Sequence, residues 1–448
     1  MDKRDFLKTS GIAVAGSFMS RFLSAQAKPA PRTNWAGNYT YSTTNLHQAR
    51  TAKDVQEIVK SCSHLKALGS RHSFNGIADS TENQISLKAL DTIEINSAAK
   101  TATVGAGIRY GDLAPALEAK GFALHNLASL PHISVAGAIA TATHGSGVHN
   151  GNLATAVSQL EFINAKGDVV HLSKGKDGDR FLGAAVHLGA LGVITNVTLE
   201  IQPTYQVTQT VYLDLPFAQL EHHLEEIFSS GYSVSLFTDW QNNHATQVWI
   251  KRRTDHTYDS TLGPDFYGAH RATVKMHPII GHEAEACTEQ LGEPGPWYER
   301  LPHFRMNFTP SSGQELQTEY FVPLDKAYEA IRAVEALRDQ ITPHLFITEF
   351  RTIDSDDLWM SMAYKRRSLA IHFTWKPEWP AVKSILLQIE ARLKPFGARP
   401  HWAKLFTMQP AYLDSLYPRL PNFEALVKEY DPQGKFRNQF LTTNLYSG

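Results

Sequence analysis

Three clusters of residues have the types and spacing to do chemistry. The first is Gly69–Asn75, GSRHSFN, which sets Arg71 and His72 between Ser70 and Ser73 in a tight polar turn. A histidine there can be a turn residue, a metal ligand, a proton shuttle or something less usual. The second spans residues 128–147, ASLPHISVAGAIATATHGSG, a run of small residues without acid, lysine or arginine that carries His132 and His144. Small residues let main chain approach a ligand closely, and exposed N–H groups in turns hold phosphate without a lysine. Two such loops in one domain can grip a pyrophosphate between them; tight packing is the plainer explanation of either alone. The third cluster is scattered: Gln317, Glu349, Arg351, His372 and Thr374 fall on separate predicted strands, and Lys404 sits in HWAKLF. Period-two alternation puts Glu349 and Arg351 on one face with Phe350 opposite, and His372 and Thr374 on one face. A solvated face is the ordinary reading of each pair. Neighbouring strands that converge these groups with Lys404 would instead line a pocket suited to a polyhydroxylated substrate.

Other patterns carry less. GAGIRYG (Gly105, Gly107, Gly111) and GSGVHNG (Gly145, Gly147, Gly151) are each one residue off the dinucleotide fingerprint, and the first follows a hairpin rather than a βαβ strand. There is no phosphate-loop motif, no HExxH and no GxSxG. His270, His277 and His282 have no ligand spacing and read as surface histidines, so no metal is expected.

Those clusters must be positioned by a chain of 448 residues, long enough for two or three domains. Its 43 basic and 44 acidic residues nearly cancel, which gives no electrostatic case for nucleic acid or an anionic membrane. Cys62 and Cys287 read as two buried free thiols. The N-terminus starts basic at Lys3 and Arg4, runs apolar through Gly11–Met19 and reaches Ala25-Gln26-Ala27, a small-x-small cleavage pattern. Residues 1–27 therefore read as an export signal. It resembles the twin-arginine type, with Lys in place of the first Arg, and implies a periplasmic or secreted protein, or a cytoplasmic one where the signal is unused. No membrane span is expected after it.

Residues 28–203 interleave short strands and short helices, with hairpins at DTIEINSAAKTATVGAG and SQLEFINAKGDVVHLS. From Tyr205 to residue 400 the strands lengthen and turn aromatic and β-branched, with helices at LDKAYEAIRAVEALRD and WPAVKSILLQIEARLKPF. That predicts a broad antiparallel sheet with helices on one face. Residues 252–305 read as a long ordered excursion, and 401–448 as a closing segment that completes the site. The fold class is α+β in two domains.

The stretches GSRHSFN, ASLPHISVAG, ATHGSGVHNGNLA, LGALGVIT, YSVSLFTDW, PGPWYERLPHFR, FTPSSG, HFTW and RPHWAKLF, in that order, resemble the alditol oxidases and the neighbouring xylitol oxidases. Both belong to the vanillyl-alcohol-oxidase type of covalent FAD flavoprotein, and the likeness runs from Thr33 to the end of the chain. The resemblance implies FAD bonded covalently through His72. It implies cofactor contacts from Gly69, Ser70, Arg71, Ser73, Ser129, Ser134, Gly137, Thr141, Thr143, His144, Val193 and Ile194. Arg71 departs from the glycine common at its position. The resemblance further implies a substrate pocket of Ser129, Gln317, Glu349, Arg351, His372, Thr374 and Lys404. Arg351, Lys404, His372 and Glu349 would be catalytic, with His372 and Lys404 rival proton acceptors. The activity implied is oxidation of a terminal alcohol of a polyol to the aldose by a monomer, with O2 reoxidising the flavin. Alternatives are a dehydrogenase of the same fold passing electrons to a quinone or cytochrome, an aldonolactone or oligosaccharide oxidase, and a non-catalytic sugar-binding protein.

Overall fold

Residues 31–446 are described by the structure, a computed structural model; the expected export signal lies outside them. Strands β1 (Leu46–Gln48), β2 (Lys66–Leu68) and β3 (Gln84–Ser86) pair in parallel in the order β1-β3-β2. Helix α1 (Ala52–Ser61) joins β1 to β2. It starts at Thr51, whose hydroxyl accepts from Asp54 N while the Asp54 carboxylate accepts from Thr51 N, and it buries Val55 and Val59. The chain continues through β4 (Ile93–Asn96), β5 (Thr101–Gly105), α2 (Tyr110–Glu118), β6 (Phe122–Ala123) and α3 (Val135–Ala140). It then forms β7 (Val157–Ile163), β8 (Val169–Ser173), α4 (Lys174–Ala185), β9 (Val193–Glu200) and β10 (Gln202–Pro203). Both expected hairpins are present, and β4-β5-β9-β7-β8 make a five-stranded antiparallel sheet. The near-fingerprint glycines have a packing cause: a Cβ at Gly107 would meet Leu87 O at 1.9 Å and one at Gly105 would meet Leu90 O at 2.4 Å.

A second, larger sheet follows. It uses β11 (Gln206–Pro216), β12 (Ser233–Thr238) and β13 (His244–Arg253), with helix α5 (Ala218–Ser229) after β11. The excursion contributes β14 (Asp265–Phe266), β15 (Ala269–Arg271) and β16 (Gly295–Pro296). Next come β17 (Leu316–Pro323), α6 (Ala327–Glu335), α7 (Arg338–Ile341), β18 (Leu345–Ile353), β19 (Ser368–Trp375), α8 (Trp379–Leu393) and β20 (Arg399–Pro400). The ten strands are antiparallel in the order β14-β15-β11-β13-β12-β18-β19-β17-β20, with β16 beside β11. Helices α5 and α6 contact the sheet and α8 packs on α6. Phe350 packs beside Phe217 and Trp240, away from Glu349 and Arg351, as alternation requires.

The excursion corrects one expectation. His277 is 5% exposed, not a surface residue, and its ring lies against His282 and Phe304. The segment folds back onto Val211, Phe237 and Trp249 as a second apolar cluster, which its Pro, Gly and His content conceals. Cys62 and Cys287 are both free and buried.

Among the described residues, the strands of the smaller sheets end at Pro203 and those of the large sheet begin at Gln206, yet from Arg32 onward the chain folds as one compact unit. The closing segment, with α9 (Pro410–Leu416), α10 (Leu420–Tyr430) and α11 (Gln439–Leu445), explains why. It returns to the first region: Asn438 Nδ2 donates to the carbonyls of Gly76, Ile77 and Asp79, and Leu65 N donates to Lys435 O. Among the described residues no helix is long and apolar enough to cross a membrane.

Candidate active site

A cavity of about 1030 Å³ lies where the loops of the first region meet the open face of the large sheet. All but one of the residues expected to touch cofactor or substrate border it. The exception is Val193, which is fully buried opposite Ile163; Gly192 and Ile194, on either side of it, border the cavity instead.

One wall is mainly backbone. A Cβ at Gly69 or Gly137 would lie 2.7 or 2.8 Å from Ser134 Oγ, so a larger residue at either would force that hydroxyl to move. Ser134 N donates to Ser70 Oγ at 3.0 Å and ties the two small-residue loops together. The amides of Ser70, Arg71, His72 and Ser73 donate to no protein group among the described residues. Arg71 has φ 67°, a left-handed conformation that glycine adopts most readily. A left-handed residue in a turn gathers successive N–H groups into an anion-holding concavity. The Arg71 guanidinium turns outward, Nη1 donating to Thr33 O at 3.1 Å. His72 stacks on Trp35 with ring centroids 5.2 Å apart, and His132 lies 6.3 Å away. Burial, then His132 and Lys404, lower the His72 pKa to about 3, which leaves the ring neutral with a free lone pair.

The opposite wall is a dense ion network. Strand β18 pairs with β19 so that Glu349 faces His372, and β17 pairs with β19 so that Gln317 faces Thr374 and Glu319 faces His372. Arg351 Nη2 donates to Glu319 at 2.9 Å, Nη1 donates to Ser129 Oγ at 3.0 Å, and Nε lies 3.5 Å from Glu349. Burial alone would raise the Glu349 carboxyl, but Arg351 and the hydrogen bond from His303 outweigh it and hold the group ionised. Burial pushes Lys404 down to about 8 and His372 down to about 3. Lys404 donates to Gln317 Oε1, which also bonds His372 Nε2 at 3.2 Å, and its ammonium sits 4.9 Å from the centre of the Phe74 ring.

Both ring nitrogens of His144 are engaged within the protein, Nδ1 with Gly145 O and Nε2 with Glu319, which leaves its main chain for the cofactor contact expected of it. Glu319 at the hub of the network and His303 beside Glu349 were not anticipated from sequence. The signal for Glu319 was present: it shares the alternating face of Gln317.

Four buried nitrogens of residues that border the cavity make no hydrogen bond within the protein among the described residues: Arg32 Nε, His132 Nδ1, His187 Nε2 and Arg351 Nε, the last 3.5 Å from Glu349. His132 Nε2 bonds Met306 O at 2.9 Å, which leaves Nδ1 an acceptor. His187 Nδ1 accepts from Gly189 N at 3.0 Å, which leaves Nε2 a donor. Orphans of this kind call for a polar occupant. A backbone anion cradle, paired donors and acceptors, and a volume of this size fit FAD. The fold and the two walls together define an FAD-dependent oxidoreductase.

The comparisons with known proteins agree. Residues 45–173 match the FAD binding domain family, and residues 197–444 match the family described as D-arabinono-1,4-lactone oxidase. An alditol oxidase of a Streptomyces species is 46% identical over 414 residues, 91% of this chain and 97% of the relative. The L-gulonolactone oxidase of Mus musculus is 27% identical over 92% of this chain and 98% of its own. The L-gulono-1,4-lactone dehydrogenase of Mycobacterium tuberculosis is 25% identical over 91% and 97%. The cholesterol oxidase of B. sterolicum shares the fold, with a TM-score of 0.75, 13% identity and coverage of 93% of this chain and 96% of that one. The chain belongs to the alditol oxidase family of vanillyl-alcohol-oxidase-type FAD flavoproteins.

Proposed function

We propose that this enzyme oxidises the terminal primary alcohol of an alditol to the aldose. The observation that carries this reading is the wall of charged and hydroxyl-binding groups on β17, β18, β19 and the Lys404 loop, facing a backbone cradle. The bound FAD supplies a hydride acceptor at N5 and an outlet to O2 that yields hydrogen peroxide. Arg351 stabilises the alkoxide that develops as the hydroxyl proton leaves. Lys404 takes that proton in preference to His372. A base works best with a pKa near the working pH, and about 8 suits neutral conditions where about 3 does not. Ser129, Gln317 and Thr374 bind further hydroxyls along the polyol, and Glu349 orients Arg351 and accepts from one of them.

His72 holds the cofactor covalently in this reading. Its neutral ring inside the cavity, beside the unpartnered amides, supports that role. His72→Ala protein is expected to lose all yellow colour that survives acid precipitation, and persistence of that colour removes the assignment. The reading also takes residues 1–27 as a twin-arginine-type signal that exports a folded, loaded monomer, which fractionation and light scattering test. An alditol panel followed for both peroxide and artificial-dye reduction tests substrate and acceptor together. Dye reduction without peroxide would point to a quinone- or cytochrome-linked dehydrogenase, and activity confined to lactones would replace the substrate class.

A further inference from the structure

A buried cation behind the substrate wall has no part in the chemistry above. Lys251, on β13, is 1% exposed. Its ammonium carries three hydrogens and meets three acceptors: Leu301 O at 2.5 Å, Pro302 O at 3.2 Å and His303 Nδ1 at 3.0 Å. Glu349 is held ionised and has no proton to give, so His303 Nε2 donates to it, and Nδ1 accepts from an N–H of Lys251, which the amine has in either protonation state although burial pushes it down to about 7. The ring proton is therefore on Nε2, which lies 2.8 Å from Glu349 Oε1. The hydrogen bonds run one way, from Lys251 through His303 to Glu349. The opposite tautomer would set N–H against N–H at Lys251 and a lone pair against a carboxylate at Glu349.

We infer that Lys251 and His303 are a positioning pair that fixes Glu349 by one oxygen and presents the other to a substrate hydroxyl. The second oxygen of Glu349 bonds no protein group among the described residues, and Glu349 borders the cavity. The His303 ring is clamped edge-on by Trp249 and Phe237, at centroid distances of 5.1 and 5.6 Å. Its main chain also holds the substrate wall, since His303 N donates to Ser129 O at 2.8 Å. The titratable and charged groups around the chain are Cys287 and Arg351 near Lys251, Arg351 near His303, and Arg351, His372 and Lys404 near Glu349. Arg351 is cationic and, with the hydrogen bond from His303, keeps Glu349 ionised, while burial pushes Lys251 down to about 7.

This inference rests on Glu349 contacting substrate, and the test separates the two. The flavin-loaded enzyme is assayed with its best alditol across roughly pH 5–10 as Lys251→Met, His303→Leu, His303→Gln and Glu349→Gln. Lys251→Met and His303→Leu are expected to lower kcat/KM by roughly tenfold or more, mainly through KM, as Glu349 loses its donor and no longer holds the substrate hydroxyl. His303→Gln keeps an amide donor at the Nε2 position and is expected to hold KM within about threefold of wild type. Histidine 15N spectra of the wild-type holoenzyme, assigned by the signal lost in His303→Gln, are expected to show the Nε2–H tautomer. That measurement stands even where Lys251→Met does not fold. An Nδ1–H tautomer, or superimposable pH profiles for wild type, Lys251→Met and His303→Leu, overturns the pair. Glu349→Gln kinetics equal to wild type instead overturn the role given to Glu349.

Discussion

The two walls of the cavity solve opposite problems. The wall from residues 69–73 and 128–144 brings main chain close and asks its side chains to stay small. The wall from β17, β18, β19 and the Lys404 loop buries carboxylates, a guanidinium, an ammonium and imidazoles within hydrogen-bonding reach of one another. The first binds by shape and unpaired amides, so it fails sterically. The second works by fixed charge, so it fails electrostatically, and a single deletion leaves a partner buried and unpaired. Damage to the first should therefore appear in cofactor loading, and damage to the second in turnover.

The largest effect expected is at Arg351. Arg351→Ala should lower kcat by roughly 10²–10³ while the flavin content per protein stays at the wild-type value. A loss of flavin in proportion to activity would erase the distinction between the walls. At Lys404 the expected signature is a pH limb. The amine accepts a proton only when neutral, so kcat/KM should rise roughly tenfold per pH unit and level off above about pH 8, and Lys404→Met should abolish that rise. A wild-type profile flat from pH 6 to 9 would return the role to His372. On the other wall, Gly69→Ala drives a methyl group onto Ser134 Oγ. Reconstitution with FAD should weaken roughly tenfold, and adding Ser134→Ala should restore it. No restoration would mean that the backbone approach itself is not limiting.

The smallest effect falls on the seam between the regions. Asp356 accepts from Asn152 Nδ2 at 2.7 Å and from Ser361 Oγ at 2.6 Å, and burial raises its pKa to about 6. The folded protein then binds a proton between about pH 4 and 6 that the unfolded chain releases, so this group's contribution to stability declines as pH rises through that window. Asp356→Asn should flatten the wild-type decline by roughly 1–3 kcal/mol in denaturant titrations, with activity little changed. An unchanged slope would show that the seam carboxylate titrates normally.

How much of this was legible in sequence differs between the walls. The strands of the large sheet were plain, because aromatic and β-branched alternation is a strong local signal, and the same alternation put Glu349 with Arg351. Applied to LQTEYFVP it also gives Glu319 with Gln317, since one face of a strand is shared by every second residue. His303 was out of reach: it lies in an irregular loop, where no period relates sequence to direction. Lys251 gave no signal either, because it lies in an ordinary alternating strand and the loop that covers it arrives 50 residues later. The cradle loops were visible as composition, but that Arg71 sits left-handed with its side chain outward is a property of the folded turn. His277 failed because composition says where a loop is polar and not what it folds against.

The closing segment has a consequence for how the protein is made. Phe74 N donates to Ala403 O at 2.8 Å, Asn75 Nδ2 donates to Trp402 O and Lys404 O at 2.9 and 2.7 Å, and Lys66 Nζ donates to Phe436 O at 3.1 Å. The turn that carries His72 is thus completed by residues 402–404, and the strand before it by Phe436. A nascent chain can form the small sheets early, but the histidine loop gains these partners only once residue 404 has been made. A chain cut before residue 402 is therefore expected to lack the fixed histidine turn and, with it, flavin capture.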